Sequence, residues 1–350
     1  MNTTTQFGII GSGSWATALA KILTDNQQSL NWWVRNERNR RHLEQRGHNP
    51  AHLTSVEFDP RQLHLSGDLE TVVRNSDLLV IGIPSAYIEE TLSGMDPACW
   101  KGKQVLSAVK GLIPGRNILL NDYFNQVFQL PIEDYFAVLG PCHAEEVAAE
   151  KLSYLTFSGV HSARTAELAG FFNCSYINTV VNHDILGVQY ASVLKNVYAI
   201  GAGIAHGLDY GDNFLSVYIA NAADEMAAFL RSFGAQDIVV GQHQAGRDPY
   251  THRKSPNYAA SVYLGDLLVT CYSPHSRNRS FGNMIGKGYS VRAAQLEMNM
   301  VAEGYNAARC IYEVNQQVQA SMPIADSIYR ILWEQMPPEE GFGVIEGVLV

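Results

Sequence analysis

The amino-terminal half of the chain alternates short apolar runs with stretches of helical spacing. Residues 7–10 form the first apolar run, and residues 15–23 after them place apolar side chains at helical spacing. Further apolar runs lie at 30–34, 77–83, 104–108, 136–139, 155–157 and 176–178. Short apolar runs between turn signals are typical of strands buried on both faces of a parallel sheet. The pattern therefore predicts an α/β domain over residues 1–183.

From Asp184 onward, strand-like runs give way to long helical periodicities. Apolar positions recur at helical spacing in 184–205, 213–233, 291–318 and 322–333. This pattern predicts an all-helical domain over residues 184–340. Small residues at 199–203 would let another helix approach closely. We expect the chain beyond Pro337 to be loosely held, with a tail at 341–350.

Composition narrows the class of protein. Of 350 residues, 46% are hydrophobic, so a substantial core is possible, and the net charge of −9 argues against a general nucleic-acid binder. The five cysteines are scattered without a C-x-x-C pair, which suits reduced thiols better than disulfides or a metal site. The sequence shows no signal-peptide pattern and no apolar stretch of about 20 residues. We expect a cytoplasmic protein without metal, nucleic-acid partner or membrane insertion.

The first strand passes into the first helix through a G-x-G-x-x-A turn. Gly11 allows the tight turn, Gly13 leaves room for a pyrophosphate, and Ala16 lets the helix pack close to the strand. The positive end of the helix would face the phosphates. A βα turn that binds nothing would have the same local pattern. Its place at the start of the first βαβ unit favours dinucleotide binding.

The second strand ends in a basic cluster that bears on which dinucleotide is bound. Arg35 follows the strand, three more arginines lie within residues 38–41, and Glu37 is the nearest acid. In dinucleotide-binding folds, an acid at this point binds the ribose 2′-hydroxyl, whereas an arginine accommodates a 2′-phosphate. A solvated basic helix face would have the same composition. The position favours NADP(H), with NAD(H) still possible.

Several polar positions stand where catalysis or anion binding would need them. Lys110 follows the strand at 104–108, whose carboxyl end should border the ligand crevice. Lys195 lies at the edge of an apolar helical stripe, so it either extends to water or donates a proton near the crevice. His143 is either a general acid or a hydrogen-bonding loop residue. Residues 276–279, Ser-Arg-Asn-Arg, suit a phosphate, although a solvated turn can have the same composition.

Together these stretches resemble the bacterial type of NAD(P)-dependent glycerol-3-phosphate dehydrogenase. The matching segments are GSGSWATALA (11–20), VKGL (109–112), GPCHAEEVA (140–148), LKNVYAIGAGIAHGLDYGDN (194–213), GDLLVTCYSPHSRNRSFG (265–282) and VAEGYNAAR (301–309). The resemblance implies an α/β fold with an N-terminal Rossmann-like parallel-sheet domain, an all-α C-terminal domain and an active site between them. It also implies a cytosolic homodimer that interconverts dihydroxyacetone phosphate and sn-glycerol 3-phosphate and feeds glycerophospholipid synthesis.

The resemblance also assigns roles to individual residues. It implies that Lys195 is the catalytic residue. It implies substrate contacts at Lys110, Gly140, Cys142, Lys195, Asp266, Ser276, Arg277 and Asn278. It implies cofactor contacts at Ser14, Trp15, Arg35, Lys110, Ala144, Arg277, Val301 and Glu303, beside the turn glycines Gly11 and Gly13.

The sequence departs from the family pattern at three places, and two other functions stay open. Cys142 stands where the family has Ser or Thr, and a thiol is a weaker donor than a hydroxyl. His143 stands where the family has an aromatic residue, and 242–258 is a longer polar segment. One alternative is a dehydrogenase for another small hydroxy or keto acid, which would not need the donors at 277–278. The other is a non-catalytic NADP(H)-binding regulator, which would have no use for Lys195.

Overall fold

The structure is a computed structural model that describes residues 5–233, 259–298 and 302–350. The chain divides into two compact units. The first comprises Met1–Val109 and Ile118–Ile185, and the second comprises Lys110–Asn117 and Leu186–Val350. The division thus lies at 185/186 rather than at the expected 183/184, and the segment Lys110–Asn117 goes with the second unit.

The first unit is built on one eight-stranded sheet. Its strands are β1 Phe7–Ile10, β2 Leu30–Trp33, β3 Leu63–Ser66, β4 Leu78–Ile81, β5 Gln104–Ser107, β6 Tyr135–Leu139, β7 Ser153–Ser158 and β8 Ile177–Asn182. They lie in the order β3-β2-β1-β4-β5-β6-β7-β8, and all neighbours are parallel except β6 and β7. The first six strands have the order of a dinucleotide-binding sheet, which confirms the expected α/β fold class.

The apolar pattern missed β3 because this strand is at the edge of the sheet. Of its four residues only Leu63 is buried, and His64 is exposed. A strand with one partner and one solvated face needs no continuous apolar run. By contrast, all four residues of β1 are buried, between β2 and β4.

Seven helices connect the strands of the first unit. They are α1 Ser14–Asp25, α2 Glu37–Arg46, α3 Leu69–Arg74, α4 Ile88–Leu92, α5 Leu120–Phe128, α6 Ala144–Ala148 and α7 Ser162–Gly170. Helix α1 buries Ala16, Leu19 and Leu23 in the same apolar core as the side chains of β1 and β4. Helix α6 packs on α1. The turn that precedes α1 and the turn that precedes α6 therefore belong to one rigidly packed part of the unit.

The described part of the second unit is helical. Its helices are α8 Ile185–Gly207, α9 Asp212–Ser232, α10 Asp266–Tyr272, α11 Arg277–Gly286, α12 Val291–Glu297, α13 Glu303–Val318, α14 Pro323–Trp333 and α15 Pro338–Glu346. A π-helical segment, Ala259–Gly265, leads into α10. The expected all-α domain is confirmed, although the helical region predicted over 291–318 forms two helices.

The expectation of a loosely held carboxyl-terminal stretch is wrong. Pro338 opens α15, and Phe342 and Ile345 of this helix are fully buried. Helix α15 packs on α14. The side chain of Asn221 on α9 bonds both the N–H and the carbonyl oxygen of Val350. Proline at the first position of a helix loses no hydrogen bond, so Pro337-Pro338 begins an element rather than ending the fold.

Helices α8 and α11 pack backbone to backbone, as the small residues at 199–203 predicted. A methyl group on Gly282 would lie 1.9 Å from the carbonyl oxygen of Ile200, and one on Gly203 would lie 2.1 Å from that of Arg279. No side chain fits at these positions. The glycines thereby bring α11 against the carboxyl-terminal half of α8.

Within the described residues, none of the helices is both long and apolar enough to cross a membrane. The polar segment 242–258 and the cofactor residue expected at Val301 lie outside the described residues.

Candidate functional site

The glycine turn of the first unit has the form that a pyrophosphate requires. Gly11 has a φ of +120°, and a methyl group there would lie 2.7 Å from the carbonyl oxygen of Gly82. Gly13 differs, because its φ of −76° suits any residue and a methyl group there would meet no atom within 4 Å. The chain's own packing therefore does not require glycine at 13. A ligand that lies directly on the backbone would require it, so the turn fits a dinucleotide.

Helix α1 presents its amino terminus at this turn. Gly13 is the N-cap, and in the described structure no side chain caps it. The first peptide N–H groups of a helix lack partners inside the helix and attract anions. Ser14 and Trp15, both expected at the cofactor, are the first two residues of α1. Ala16 is fully buried. A methyl group on Gly82, which follows β4, would lie 2.9 Å from the Cβ of Ala16. The helix and the sheet are therefore in close contact, as predicted.

Three side chains that the sequence patterns did not indicate hold this turn in place. The buried amide of Asn49 donates to Ser12 O at 3.0 Å and to Thr17 Oγ1 at 2.9 Å. Trp32 Nε1 donates to Gly11 O at 2.7 Å. His52 Nδ1 lies 3.3 Å from Ser14 Oγ. Asn49 precedes Pro50, and this turn signal is the feature of the sequence that could have drawn attention to it.

Arg35 lies just beyond the end of β2. This strand pairs with β1, which leads into the glycine turn. Its side chain is 70% exposed and lies 3.7 Å from the equally exposed Glu90. An exposed ion pair of this kind contributes little to stability. Arg38 is exposed and forms no ion pair with any other described residue, whereas Arg41 is paired with Glu37. The cluster therefore retains positive charge that the fold itself does not neutralise.

The loop between β6 and α6 carries three of the expected site residues. Gly140 has a φ of +138°, and a methyl group there would lie 2.6 Å from Tyr154 O, so packing alone requires this glycine. The thiol of Cys142 is buried and donates to Gly140 O at 3.1 Å. Ala144 begins α6. The thiol at 142 thus supports the loop's own shape, which a Ser hydroxyl would also do.

In the second unit, Lys195 of α8 forms a buried ion pair with Asp266 of α10. The side chains are only 5% and 2% exposed, and Nζ donates to Oδ1. The second carboxylate oxygen, Oδ2, is buried and accepts no hydrogen bond from the residues that the structure describes. A buried charge pair is costly unless its remaining lone pairs are satisfied. This unsatisfied oxygen indicates a place where a ligand donor would be stabilised.

The surroundings of this pair are electropositive. Cys271, on the same helix as Asp266, is fully buried, and burial raises the pKa of its thiol to about 12. The charges of Lys195 and Arg279 oppose that rise. Arg279 forms no ion pair with any part of the chain that the structure describes. The positive charge around Lys195 therefore exceeds what Asp266 alone can balance.

The first turn of α11 holds the Ser-Arg-Asn run that was expected to bind substrate. Ser276 is buried as the N-cap, and its hydroxyl accepts the N–H of Arg279 at 3.3 Å. Arg277 is exposed at the first helical position. Asn278 is buried, and its amide bonds Asn196 of α8 and the N–H of Gly304 in α13. Of the three side chains, that of Arg277 faces solvent and the other two are built into the fold.

Lys110 and Glu303 complete the group in the second unit. The carbonyl of Lys110 accepts a hydrogen bond from Asn196, the residue after Lys195. Glu303 is the first residue of α13, directly before Gly304. The structure therefore brings Lys110, Lys195, Asp266, Asn278 and Glu303 into one connected set of elements. Among the described residues, no three His, Cys, Asp or Glu side chains form a group that could hold a metal ion.

Comparisons with known proteins show which family the chain resembles over almost its whole length. Residues 6–165 match the family model for the NAD-dependent glycerol-3-phosphate dehydrogenase N-terminus, and residues 184–342 match that for the C-terminus. A glycerol-3-phosphate dehydrogenase (NAD(P)+) of Agathobacter rectalis is 31% identical over 95% of this chain and 93% of its own length. One from Chlorobium phaeobacteroides (strain DSM 266) is 32% identical over 96% and 95% of the two chains. The crystal structure of the Coxiella burnetii glycerol-3-phosphate dehydrogenase (gpsA) superimposes with a TM-score of 0.84, at 25% identity over 99% of both chains.

Proposed function

Because the chain belongs to the NAD-dependent glycerol-3-phosphate dehydrogenase family, we propose that its Lys195 is the proton donor when dihydroxyacetone phosphate is reduced to sn-glycerol 3-phosphate. The chain is an NAD(P)-dependent oxidoreductase of this family. The relatives carry the dehydrogenase name, so neither a regulator without catalysis nor a dehydrogenase for another hydroxy acid is favoured.

The observation that carries the mechanism is the buried Lys195–Asp266 pair with its unsatisfied carboxylate oxygen. When bound, reduced nicotinamide would supply the hydride to C2 of the substrate carbonyl, and the alcohol forms once the oxygen is protonated. Lys195 stabilises the negative charge on the carbonyl oxygen and donates its proton there. The resulting neutral amine takes up a proton from water, which restores the ammonium for the next turnover.

Asp266 has two roles in this proposal. Its Oδ1 holds the ammonium of Lys195 in one orientation. Its Oδ2, which has no donor among the described side chains, accepts a hydrogen bond from a substrate hydroxyl. A substrate without that hydroxyl would leave the buried oxygen unsatisfied, which costs about 1–3 kcal/mol.

The remaining site residues divide by unit. Gly11, Gly13, Ser14 and Trp15 would hold the pyrophosphate at the amino terminus of α1, and Ala144 would border it. Arg35, exposed and only weakly paired with Glu90, would bind a 2′-phosphate, which favours NADP(H) over NAD(H). In the second unit, the exposed guanidinium of Arg277 is the group best placed to bind the substrate phosphate. Gly140, Cys142, Ser276, Val301 and Glu303 remain assigned by resemblance alone.

The cellular setting is part of the same proposal. The family resemblance supports a cytoplasmic homodimer whose product enters glycerophospholipid synthesis. Light scattering behind a sizing column tests the assembly directly. A mass near twice 38.7 kDa is expected, and the mass of a single chain would contradict the dimer.

The function itself is tested by following NADPH absorbance with three candidate substrates. We expect oxidation with dihydroxyacetone phosphate and a rate at least about a hundredfold lower with dihydroxyacetone, because the phosphate supplies much of the binding energy that orients C2. A small 2-keto acid serves as the third substrate. Turnover of the keto acid with none of dihydroxyacetone phosphate would overturn the assignment.

A further inference from the structure

Two buried asparagines form a continuous hydrogen-bonded chain between four elements of the second unit. The N–H of Gly304 donates to Asn278 Oδ1 at 2.9 Å. Asn278 Nδ2 donates to Asn196 Oδ1 at 2.9 Å, and Asn196 Nδ2 donates to the carbonyl of Lys110 at 3.1 Å. Asn196 is only 4% exposed and Asn278 only 8%. We call this chain of three bonds the amide relay.

The direction of the amide relay is fixed by its ends. A peptide N–H at Gly304 can only donate, and a peptide carbonyl at Lys110 can only accept. Each asparagine must therefore turn its oxygen towards Gly304 and its nitrogen towards Lys110. If either amide flipped, like groups would face each other in a buried place, which is costly.

The packing around the relay is shaped to allow it. A methyl group on Gly304 would lie 2.4 Å from the carbonyl oxygen of Asn196, so only glycine lets α13 approach α8 this closely. The far end of the segment Lys110–Asn117 is also fixed, because Asn117 Nδ2 donates to Glu313 of α13. The segment is thus anchored to the helical unit at both ends, and its first residue is Lys110.

We infer that Asn196 and Asn278 are positioning residues that place Lys110 relative to Lys195. Asn196 follows Lys195 on α8. The amide relay therefore holds the backbone of Lys110 against the helix that carries Lys195. The side-chain oxygen of Asn278 and one of its amide hydrogens are used by the relay. These two groups of Asn278 therefore act on the reaction through Lys110. This inference rests on the proposed function, since its effect is observed in the reduction of dihydroxyacetone phosphate.

The test is Asn196→Asp, which keeps the size of the side chain and removes the donor. An ionised carboxylate at 196 would face the carbonyl of Lys110 with an oxygen, so Lys110 should shift. A displacement of about 1 Å can cost on the order of a hundredfold in rate, so we expect kcat/KM at pH 8 to fall tenfold to a hundredfold. A protonated Asp can donate to Lys110 and accept from Asn278, so the loss should diminish as the pH falls towards 5.

The variant is compared with wild type at each pH, because other ionisable groups belong to the same elements. Lys110, Lys195, Asp266, Arg277, Arg279 and Glu303 are present in both proteins, so the ratio of the two kcat/KM values removes most of their own effect. Asn213→Asp, exposed on α9, is the matched control and should give a ratio near one at every pH. Asn278→Asp should show the same recovery at low pH as Asn196→Asp.

The outcomes separate the relay from the proposed function. If wild type does not reduce dihydroxyacetone phosphate, the proposed function fails. If wild type is active and both Asp variants are as active as wild type, or are impaired by the same factor at pH 5 and pH 8, the relay has no positioning role. If both variants stay unfolded at pH 5 by circular dichroism, where their acids reproduce the hydrogen bonds, the inference is also wrong. Lower activity at pH 8 with recovery at pH 5, and unchanged NADPH binding by fluorescence, supports it.

Discussion

The glycine turn of the first unit and the lysine pair of the second differ in how far the fold depends on them. Gly13 has open space beside it, and the side chain of Arg35 is 70% exposed. Lys195 and Asp266 are at most 5% exposed and bonded to each other. Changes at the first place should alter ligand binding and leave stability almost unchanged. Changes at the second place should alter both, because the chemistry uses groups that the core also needs.

The largest effect on stability is expected at the contact between α8 and α11. Gly282→Ala would place a methyl group 1.9 Å from a backbone oxygen of α8, which neither helix can avoid without moving. We expect unfolding free energy in urea to fall by about 3 kcal/mol or more.

Gly343→Ala on α15 is the matched control. A methyl group there meets nothing within 4 Å, and alanine favours helix, so stability should rise by up to about 1 kcal/mol. Equal behaviour of the two variants would show that the two helices are not in backbone contact.

The closed interior of the second unit also predicts a pH dependence of stability. Glu225 of α9 accepts the N–H groups of Ile324 and Ala325 at the start of α14, and burial raises its pKa to about 7. The folded state therefore binds this proton more tightly than the unfolded state. The stabilisation is complete below the unfolded value of about 4.5 and is lost as the pH rises through about 7.

Glu225→Gln should remove this pH-dependent contribution to the free energy of unfolding. Between pH 4.5 and 8 it amounts to up to about 3 kcal/mol, measured by denaturation in urea at several pH values. Asp224→Asn, at the exposed neighbouring position on α9, should keep the wild-type dependence. A Glu225→Gln profile parallel to that of wild type would contradict the assignment.

Gly13→Ala tests the glycine turn, where the space beside the backbone is open. The methyl group would meet no protein atom, so the unfolding free energy should change by less than about 1 kcal/mol. A bound pyrophosphate would be displaced from the backbone N–H groups of α1, so the Kd of NADPH should rise at least about tenfold. Unchanged NADPH binding by fluorescence titration would remove the turn from the cofactor site.

The smallest effect is expected at Arg35. Arg35→Asp exchanges a cation for an anion at an exposed position, so the fold should not respond. The Kd of NADPH should rise about tenfold more than that of NADH, because only NADPH carries the 2′-phosphate. Equal losses for the two cofactors would refute the preference for NADP(H).

The features that could be predicted from the sequence are those that depend on short stretches of the chain. The turn from β1 to α1 and the close contact of α8 were predictable because glycines and apolar residues have local conformational consequences. Strand β3 was missed because an edge strand has no distinctive pattern. The beginning of α15 was mistaken for the end of the fold because Pro337-Pro338 suits both.

The supports of the site were beyond local patterns for a different reason. Asn49 bonds a residue 37 positions away, and Asn196 bonds residues 86 and 82 positions away. The role of a buried amide depends on hydrogen-bond partners that come close to it only when the chain folds. The family resemblance named the residues expected at the ligands, whereas the residues that position them became visible only in three dimensions.

The account depends most on Lys195, and its direct test replaces the whole ion pair. Lys195→Met alone would leave Asp266 buried and unpaired, so the double variant Lys195→Met/Asp266→Leu is the better choice, because apolar residues can replace a buried pair without loss of the fold. We expect the rate of NADPH oxidation with dihydroxyacetone phosphate to fall on the order of a thousandfold, with NADPH still bound as in wild type. A folded double variant with near-normal turnover would contradict the central role of Lys195.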